Sequence, residues 1–339
     1  MTDSGSLPAD ARQAAPGAGP VDAVVIGRNE GARLVACLAS LAPQVRRIVY
    51  VDSGSTDGSL AAAQAAGAEV AILDPGQPFT AARARNAGLA SIMADTDPPA
   101  FVQFVDGDCI VEPGWVATAR AFLAARPDAA VACGRRRERF PEASVYNRVI
   151  DREWDTPVGE ARACGGDALM RVAALGGTGG FRADLIAGEE PELCLRLRRA
   201  GWTVWRIDAP MTRHDAAILR FGQWWRRTRR AGHAFAQGAA LHGSGPERHW
   251  VAETRRALVW GAALPMAAAM LALVHPAGLA LLLAWPAQAA RLARRWGGDR
   301  AAWEAAALSV IGKPAEAVGV IGYHLARRLG RRPRLIEYK

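Results

Sequence analysis

The sequence predicts an α/β protein with a mostly parallel central sheet that is flanked by helices. Short, nearly uncharged β-type runs alternate with helical segments from Val21 to about Asp106. Strands that are apolar along their whole length are typical of a parallel sheet covered by helices on both faces. A separate uncharged run near the C-terminus predicts additional apolar and amphipathic helices. With 339 residues, of which 50% are hydrophobic, the chain can form one large domain and an appended part.

The predicted elements follow one another closely in the first third of the chain. Strands are predicted at residues 21–27, 46–51, 68–73 and 100–105. Helices are predicted between them at residues 30–41, 57–66 and 79–95. A mixed region then extends to about residue 208, and an aromatic, basic helix is expected at residues 216–241.

Residues 257–290 contain no charged side chain, and arginines flank this run on both sides. One spanning helix needs about 20 apolar residues, so the run is long for one span and short for two. Pro265, Pro276 and Pro286 are expected to interrupt it. A re-entrant or tight hairpin satisfies the length, the prolines and the flanking charge, with both flanks on the cytoplasmic side. The alternative is a helical subdomain buried against the rest of the protein.

Three parts are therefore predicted: a disordered tail at residues 1–20, an α/β domain at 21–241, and a membrane-associated helical region at 242–339. The tail is rich in Ala, Gly, Pro and Ser. The last helix, expected at residues 302–329, is amphipathic and basic toward its C-terminal end, as in helices that lie on a bilayer.

The net charge of +9 is carried almost wholly by arginine. The arginines cluster around the apolar C-terminal region, and no nucleic-acid-binding module is recognisable. This distribution favours a membrane surface and predicts no nucleic acid partner. The five cysteines are scattered without Cys-x-x-Cys spacing, so neither a zinc site nor a disulfide framework is expected.

Two aspartates, Asp106 and Asp108, follow the fourth predicted strand. Carboxylates at the end of a buried strand are costly unless a cation neutralises them, and Mg²⁺ or Mn²⁺ that also binds a diphosphate would do so. Glu30 and Asp52 follow the first two predicted strands. Because ligands of such sheets bind beyond the carboxyl ends of the strands, one crevice is expected to collect these acidic groups.

Six short motifs stand in a fixed order between residues 24 and 227. They are Val24-Val25-Ile26-Gly27-Arg28-Asn29-Glu30, Asp52-Ser53-Gly54-Ser55-Thr56-Asp57-Gly58, Ala84-Arg85-Asn86-Ala87-Gly88, Asp106-Gly107-Asp108, Gly188-Glu189-Glu190-Pro191-Glu192-Leu193 and Gln223-Trp224-Trp225-Arg226. Together they resemble the motifs of family 2 glycosyltransferases, inverting enzymes with a GT-A (Rossmann-like) fold. The resemblance implies metal-dependent transfer of a sugar from a nucleotide-diphosphate sugar.

The resemblance also implies roles for the matching positions. Glu30, Asp52 and Arg85 would bind the nucleotide part of the donor. Asp106 and Asp108 would bind the metal and the diphosphate, with Asp108 the more direct ligand.

Glu190 stands where the family has an aspartate that acts as general base. A glutamate reaches one methylene further, so the adjacent Glu189 is an alternative base. His214 is either a further metal ligand or a structural histidine. Asp167, in a Gly-Gly-Asp segment, would bond a hydroxyl of the acceptor sugar.

The Gln223-x-x-Arg226 pattern resembles that of processive polysaccharide synthases, but Arg227 stands where those enzymes have tryptophan. Single-sugar transfer is therefore expected. Arg226 would neutralise the leaving diphosphate, and Trp224 or Trp225 would stack on a sugar ring; the alternatives are a solvated or lipid-facing basic face and an interfacial aromatic belt.

The acceptor is expected to be lipid-linked or a saccharide, in cell-envelope or exopolysaccharide synthesis at the cytoplasmic face of the inner (plasma) membrane. Two other functions stay open. A nucleotidyltransferase that makes nucleotide sugars would share the sheet and the acidic groups, but the first strand is not followed by a Gly-rich basic phosphate loop. A non-catalytic membrane-bound scaffold would not need the acidic groups that this sequence has.

Overall fold

The computed structural model describes residues 19–330, which divide into two units. The first unit comprises residues 19–137, 156–183 and 190–214, and the second comprises residues 138–155, 184–189 and 215–330. Almost all of the tail expected at residues 1–20 lies outside the described residues.

Within the described residues the strands form one nine-stranded sheet. The strands are β1 (Val21–Gly27), β2 (Ile48–Asp52), β3 (Glu69–Ile72), β4 (Phe101–Asp106), β5 (Cys109–Val111), β6 (Ala129–Glu138), β7 (Gly159–Glu160), β8 (Ala168–Arg171) and β9 (Thr203–His214). Their order across the sheet is β3-β2-β1-β4-β8-β6-β9-β5, and β7 pairs with β9.

Seven helices lie between or beside these strands. They are α1 (Ala32–Leu41), α2 (Ser59–Ala65), α3 (Ala81–Met93), α4 (Trp115–Ala125), α5 (Val145–Trp154), α6 (Val172–Thr178) and α7 (Glu189–Arg199). Of these, α5 belongs to the second unit. The predicted strands and helices of the first hundred residues are all present, and their bounds differ from the prediction by a few residues.

The parallel part of the sheet is the part that the sequence pattern predicted. β1 pairs in parallel with β2 and β4, and β2 pairs in parallel with β3. Beyond β4 the sheet is mixed, because β8 is antiparallel to β4 and β6, and β9 is antiparallel to β5 and β7. The regular alternation of strand and helix in the sequence ends at Asp106, where the parallel part also ends.

The core of the first unit is formed by the central strands and the helices that cover them. Val24 and Val25 on β1 and Phe104 on β4 are completely buried. A Cβ atom at Gly88 would overlap the side chain of Val24, so α3 lies directly against β1. Complete burial on both faces explains why these strands are apolar along their length.

The C-terminal part of the second unit is helical. Its helices are α8 (Phe221–His242), α9 (Val251–Leu258), α10 (Leu264–Val274), α11 (Ala284–Arg295), α12 (Arg300–Ile311) and α13 (Lys313–Arg328). A π-helical turn at Val259–Ala263 joins α9 to α10, and a 3₁₀ helix at Pro276–Leu283 precedes α11. The single amphipathic helix predicted at residues 302–329 is thus two helices that meet at Gly312.

α8 packs closely against α13. A Cβ atom at Gly232 would overlap the carbonyl of Glu316, and one at Gly319 would overlap the carbonyl of Arg229. The rings of His233 and Tyr323 meet edge to face, with centroids 5.2 Å apart. The aromatic, basic helix predicted at residues 216–241, as the last part of the α/β domain, therefore packs with the C-terminal helices.

Residues 257–290 form a helical hairpin, which we call the apolar hairpin. The indole N–H of Trp285 donates a hydrogen bond to the carbonyl of Trp260 at 3.2 Å, so the two arms lie side by side. The prediction that three prolines interrupt the run is correct only at Pro276, where the chain turns back. Pro265 lies in the first turn of α10, directly after the π-helical turn, and Pro286 lies in the first turn of α11, where no intrahelical bond to its nitrogen is needed.

Two helical stretches among the described residues are long and apolar enough to cross a membrane, judged by length and composition alone. Val251–Val274 has a mean hydropathy of 2.1 in its most apolar window, with 11% of that window buried. Arg300–Arg328 has a value of 1.3, with 44% buried.

Candidate active site

The register of the parallel strands brings the predicted acidic residues to one edge of the sheet. Asp52, the last residue of β2, lies opposite Gly27 of β1, and Asp106, the last residue of β4, lies opposite Ile26. Glu30 follows β1 by three residues. The sequence-based prediction of a common crevice is thus consistent with the register of the first unit.

Asp52 organises the loop that follows β2. Its side chain is buried and accepts hydrogen bonds from the hydroxyl of Tyr50 at 3.0 Å and from the backbone N–H groups of Gly54 and Ser55 at 2.9 and 2.8 Å. Burial, reinforced by the charge of Asp52, raises the pKa of Tyr50 well above its usual value, so the phenol remains a donor. These contacts give Asp52 a structural role in shaping the loop.

Asn29 joins this loop to the end of β1. Its backbone adopts a positive φ of 56°, and its side-chain oxygen accepts a hydrogen bond from the N–H of Thr56 at 2.7 Å. Its own N–H donates to the hydroxyl of Ser55 at 2.9 Å. Residues of the first two sequence motifs are therefore held together by direct hydrogen bonds.

Glu30 lies over the ends of β1 and β4, where glycines make room for it. A Cβ atom would lie 3.1 Å from Glu30 Cγ if placed on Gly27 and 3.3 Å from it if placed on Gly107. The carboxylate pairs with the guanidinium of Arg33 at 2.8 Å. The small residues at the two strand ends thus leave space for this carboxylate.

Asp106 and Asp108 have different partners. Asp106 is paired with two arginines, Nη2 of Arg85 at 2.8 Å and Nη2 of Arg136 at 3.3 Å. Asp108 lies 3.2 Å from Nε2 of His214. The second contact follows from the sheet, because β5 and β9 are antiparallel with Cys109 opposite His214. The two carboxylates of the motif are thus in contact with different residues, although only one residue separates them.

Asp108, Cys109 and His214 are close enough to hold a metal ion, since one potential ligand atom from each lies within 4.8 Å of the others. Burial, together with the negative charge of Asp167, raises the pKa of the Cys109 thiol well above its usual value. Without a bound metal, this favours the neutral thiol, so the carboxylate and the imidazole are the stronger ligands of the three. The carboxylate suits Mn²⁺ or Mg²⁺, and the imidazole is a ligand that divalent transition metals accept. This donor set fits the predicted metal, whereas the oxygens of Asp106 are bonded to arginines.

Asp167 is completely buried. Its side chain contacts other residues of the protein, whereas the sequence predicted a contact with an acceptor sugar. It accepts hydrogen bonds from the backbone N–H of Asp106 at 3.0 Å, from Nη2 of Arg136 at 2.7 Å and from the hydroxyl of Thr212 at 2.7 Å. Burial by itself would raise the pKa of Asp167, but the Arg136 guanidinium and these hydrogen bonds hold that pKa below its usual value. Asp167 is thus an ionised internal group that supports Asp106.

Arg136 is a residue of the site that the sequence analysis missed. It bonds both Asp106 and Asp167, with a side chain that is 13% exposed. The available signal was the run Arg135–Arg137 at the end of the apolar strand β6. Because side chains of a strand alternate between its two faces, the middle arginine of such a run is expected to point opposite to its neighbours.

Arg85 connects Asp106 with Glu190, the predicted general base. Its Nη1 lies 2.9 Å from Oε1 of Glu190, and its Nη2 lies 2.8 Å from Asp106. The guanidinium is 5.6 Å from the ring centroid of Phe181. A Cβ atom at Gly166 would lie 2.6 Å from Nη2 of Arg85, so only glycine fits against this pair. One buried cation thus holds the two carboxylates.

Four predicted site residues belong to the second unit: Glu189, Trp224, Trp225 and Arg226. Glu189 is buried, and Arg226 is exposed on α8. Trp224 is buried and stacks on Tyr146, with centroids 5.8 Å apart, which is a core position rather than an open sugar-binding face.

Gln223, the first residue of the Gln-x-x-Arg pattern, caps α8. Its side-chain oxygen accepts hydrogen bonds from the N–H groups of Leu219 and Arg220, both at 3.0 Å. These bonds satisfy backbone groups at the start of the helix. This part of the pattern therefore has a structural explanation in the second unit.

The site can be compared with known proteins. The family model described as Glycosyl transferase family 2 matches residues 22–183, which include β1, β2, β4 and the acidic groups at their ends. A curated relative is the succinoglycan biosynthesis protein ExoA of Rhizobium meliloti, 27% identical over 193 residues. That alignment covers 53% of this chain and 58% of the relative, so the match spans little more than half the length of either protein.

Two solved structures have a similar fold. The mannosyltransferase PcManGT from Pyrobaculum calidifontis, in complex with GDP-Man and Mn²⁺, has a TM-score of 0.56 at 23% identity and covers 88% of this chain and 90% of its own. Residues 1–349 of S. aureus TarS have a TM-score of 0.52 at 15% identity, with 92% of each chain covered. At these identities the likeness establishes the GT-A fold, an α/β sheet flanked by helices.

Proposed function

We propose that this protein, a member of glycosyl transferase family 2, transfers a single sugar from a nucleoside-diphosphate sugar to an acceptor with inversion at the anomeric carbon. One observation supports this reaction more than any other. Near the carboxyl end of β4 lie a carboxylate–imidazole pair, Asp108 and His214, and two carboxylates that Arg85 holds together. The first pair fits a divalent cation and the second includes a group that can accept a proton.

The donor is proposed to bind at the ends of β1, β2 and β4. Glu30 and the loop shaped by Asp52 would contact the nucleoside, and Arg85 would lie beside it. Asp108 and His214 would hold Mn²⁺ or Mg²⁺, which supplies positive charge to offset that of the departing nucleoside diphosphate. The Mn²⁺ and GDP-Man bound by the archaeal neighbour are consistent with this class of donor.

Glu190 is the proposed general base. Its pairing with Arg85 favours the ionised carboxylate, which can accept a proton from the acceptor hydroxyl as that oxygen attacks the anomeric carbon. Arg136 and Asp167 would position Asp106 through their contacts with it. Glu189 remains the alternative base, and Trp225 and Arg226 remain candidates for contacts with the sugar and the leaving diphosphate.

The acceptor is proposed to be a lipid-linked or polymeric saccharide of a cell-envelope or exopolysaccharide pathway. The succinoglycan role of the curated relative supports a polysaccharide pathway. The apolar C-terminal helices and the arginines around them support attachment to a membrane at its cytoplasmic face, where nucleotide sugars are made. A hexose is the expected sugar.

Product analysis tests the reaction. The full-length protein would be incubated with Mn²⁺, a panel of UDP-, GDP- and dTDP-sugars, and an acceptor fraction of membrane lipids and oligosaccharides. Acceptor-dependent release of free nucleoside diphosphate is the expected result. Release of pyrophosphate would instead indicate a nucleotidyltransferase, and binding without any turnover across the panel would indicate a scaffold.

A further inference from the structure

The apolar hairpin exposes large hydrophobic side chains around its turn. Leu273 and Val274, the last residues of α10, are 81% and 86% exposed. Met266 and Met270 on the first arm and Leu283 on the second are each about two-thirds exposed. Single exposed hydrophobic residues are ordinary, but several large ones around the turn of one hairpin mark an interaction surface.

The backbone of the turn is satisfied within the hairpin. The N–H of Ala277 donates to Nδ1 of His275 at 3.2 Å, and the N–H of Gly278 donates to the carbonyl of His275 at 2.9 Å. The two arms are joined by the hydrogen bond from Trp285 to Trp260. An element that satisfies its own polar backbone can enter hydrocarbon at far lower cost than an irregular loop.

The uncharged parts of the two arms are shorter than the roughly 20 apolar residues of a typical membrane span. The uncharged part of the first arm, residues 257–274, is 18 residues long. At 1.5 Å per residue it extends about 27 Å, whereas the hydrocarbon core is about 30 Å thick. Even if the hairpin stood upright with its arginines at the near headgroups, its turn would not reach the far side of the hydrocarbon core.

Arginines are placed at the open end of the hairpin. Arg255 and Arg256 precede the first arm, and Arg291, Arg294 and Arg295 follow the second; all five are exposed. The contact between Trp260 and Trp285 brings both ends of the run together. The charge is thus concentrated at one end and the apolar surface at the other, an arrangement that matches anionic headgroups above acyl chains.

We propose that the apolar hairpin inserts into an anionic lipid bilayer from one side, as a monotopic anchor whose two ends stay on the same face. This inference rests on the membrane attachment proposed above and is independent of the sugar-transfer reaction. The competing occupant of the same surface is a second copy of the chain, which would cover the exposed side chains by dimerisation.

Binding to vesicles tests the occupant. Full-length protein is mixed with vesicles of phosphatidylcholine alone or of phosphatidylcholine with phosphatidylglycerol, and the bound fraction is measured by flotation. Wild-type protein should bind the anionic vesicles more strongly, and this preference should fall at high salt. Val274→Asp should weaken binding by roughly 100-fold or more, because a carboxylate would have to enter the acyl region.

The control makes the same change elsewhere. Val158 is also exposed, at 47%, but lies in the loop before β7 of the first unit. Val158→Asp should bind like wild type. Thermal melting checks that both variants fold. Both are expected to fold, because both positions are exposed.

Topology is tested with a cysteine at the turn. Because the five native cysteines are buried, Val274→Cys provides one accessible thiol, and unmodified protein gives the background. The protein is added outside vesicles that enclose a membrane-impermeant maleimide. If the hairpin enters from one side only, the enclosed maleimide does not label the thiol of Val274→Cys. In the positive control, maleimide is added to the protein before the vesicles and labels that thiol.

Three results would overturn the proposal. They are lumenal labelling of Val274→Cys, equal vesicle binding by Val274→Asp and wild type, and a wild-type dimer that ignores vesicles and dissociates on Val274→Asp. None of these measurements uses a sugar donor, so failure of the anchor is distinguishable from failure of the proposed reaction.

Discussion

At the residue scale, the contact between Asp108 and His214 follows from strand pairing. The two residues are more than a hundred positions apart, yet the antiparallel register of β5 and β9 brings them to 3.2 Å. A carboxylate and an imidazole at this distance can bind one cation together, which leads to the first prediction.

Asp108→Asn should weaken Mn²⁺-dependent binding of a nucleoside diphosphate by roughly 100-fold or more. Groups behind a metal ligand already contribute about 10–100-fold to metal affinity, and a ligand contributes at least as much. Calorimetric titration of UDP and GDP with and without Mn²⁺ measures the loss. Asp208→Asn is the matched control, because Asp208 lies exposed on the same strand as His214. Unchanged affinity in Asp108→Asn would rule out the metal assignment.

Glu190→Gln should reduce the rate of transfer by about 10²–10⁴-fold and leave nucleotide affinity largely intact, because the amide cannot accept the proton of the acceptor. Turnover and binding are measured separately, as nucleoside diphosphate release and by calorimetry. Glu189→Gln is the companion variant. If it loses activity while Glu190→Gln stays active, the base is Glu189.

The sequence identified the acidic groups and Arg85, but not Arg136, the second arginine that pairs with Asp106. Asp108 and Glu190 could be found because short motifs preserve local spacing. Arg136 could not be found, because its partners depend on the pairing of β6 with β8. The spacing of residues within a short motif does not determine that pairing. Asp167 was found for the wrong role, since nothing in a Gly-Gly-Asp segment distinguishes a buried carboxylate from an exposed one.

At the element scale, the packing of α8 on α13 depends on glycines in close contact. Gly319→Ala should destabilise the second unit by about 1–3 kcal/mol, because its Cβ would overlap the carbonyl of Arg229. Gly322→Ala, on the same helix, meets no atom within 4 Å and should instead stabilise by up to about 1 kcal/mol. Urea unfolding of the two variants measures the difference. Equal effects would show that the close approach is absent in solution.

The same interface should make stability depend on pH. Burial, with a smaller contribution from the charges of nearby Arg229 and Arg230, lowers the pKa of His233 from 6.5 to about 4. Between these values the unfolded chain binds a proton that the folded chain does not, so stability should fall as pH drops from 7 toward 4, by at most about 3 kcal/mol.

Thermal melting between pH 7 and 5 measures this dependence. His233→Phe should show a smaller loss of melting temperature over that range than wild type, because phenylalanine cannot take up a proton. His275→Phe, at the exposed turn of the apolar hairpin, should keep the wild-type dependence. An unaltered slope in His233→Phe would exclude the histidine as the source.

Element boundaries were predictable where charge and proline gave local signals. The interruption at Pro276 was expected and is present. The helix continues through Pro265, which was not expected. The π-helical turn before the proline accommodates it, and the amino-acid composition gives no signal for such a turn. The break at Gly312 was missed for a similar reason, since the amphipathic pattern runs through both helices.

At the scale of the whole molecule, the apolar hairpin should be separable from the fold. Because Trp260 and Trp285 are in contact, residues 262–283 can be replaced by a short Gly/Ser linker without separating the flanking helices. The shortened protein should keep Mn²⁺-dependent nucleotide binding and lose vesicle binding. Deletion of everything after residue 256 is a poorer test, since it also removes α13 from α8. Loss of nucleotide binding in the linker variant would mean that the hairpin supports the fold.

The fold class was predictable because the parallel strands are short-range features, each joined to the next by one helix. The antiparallel strands beyond β4 could not be predicted in this way, since β8 and β9 pair with strands far away in sequence. For the same reason the sequence suggested a simple boundary at residue 241, whereas the two units interleave along the chain.

The hydrogen bond between Trp285 and Trp260 holds the two arms of the hairpin side by side before the hairpin contacts lipid. Inserted at a tilt, so that it lies mainly in the near leaflet, the hairpin would expand that leaflet more than the other. The protein would therefore prefer strongly bent membrane, where the outer layer is already stretched and lipid packing is loose. Vesicle diameter, and not composition alone, would then govern where the protein binds.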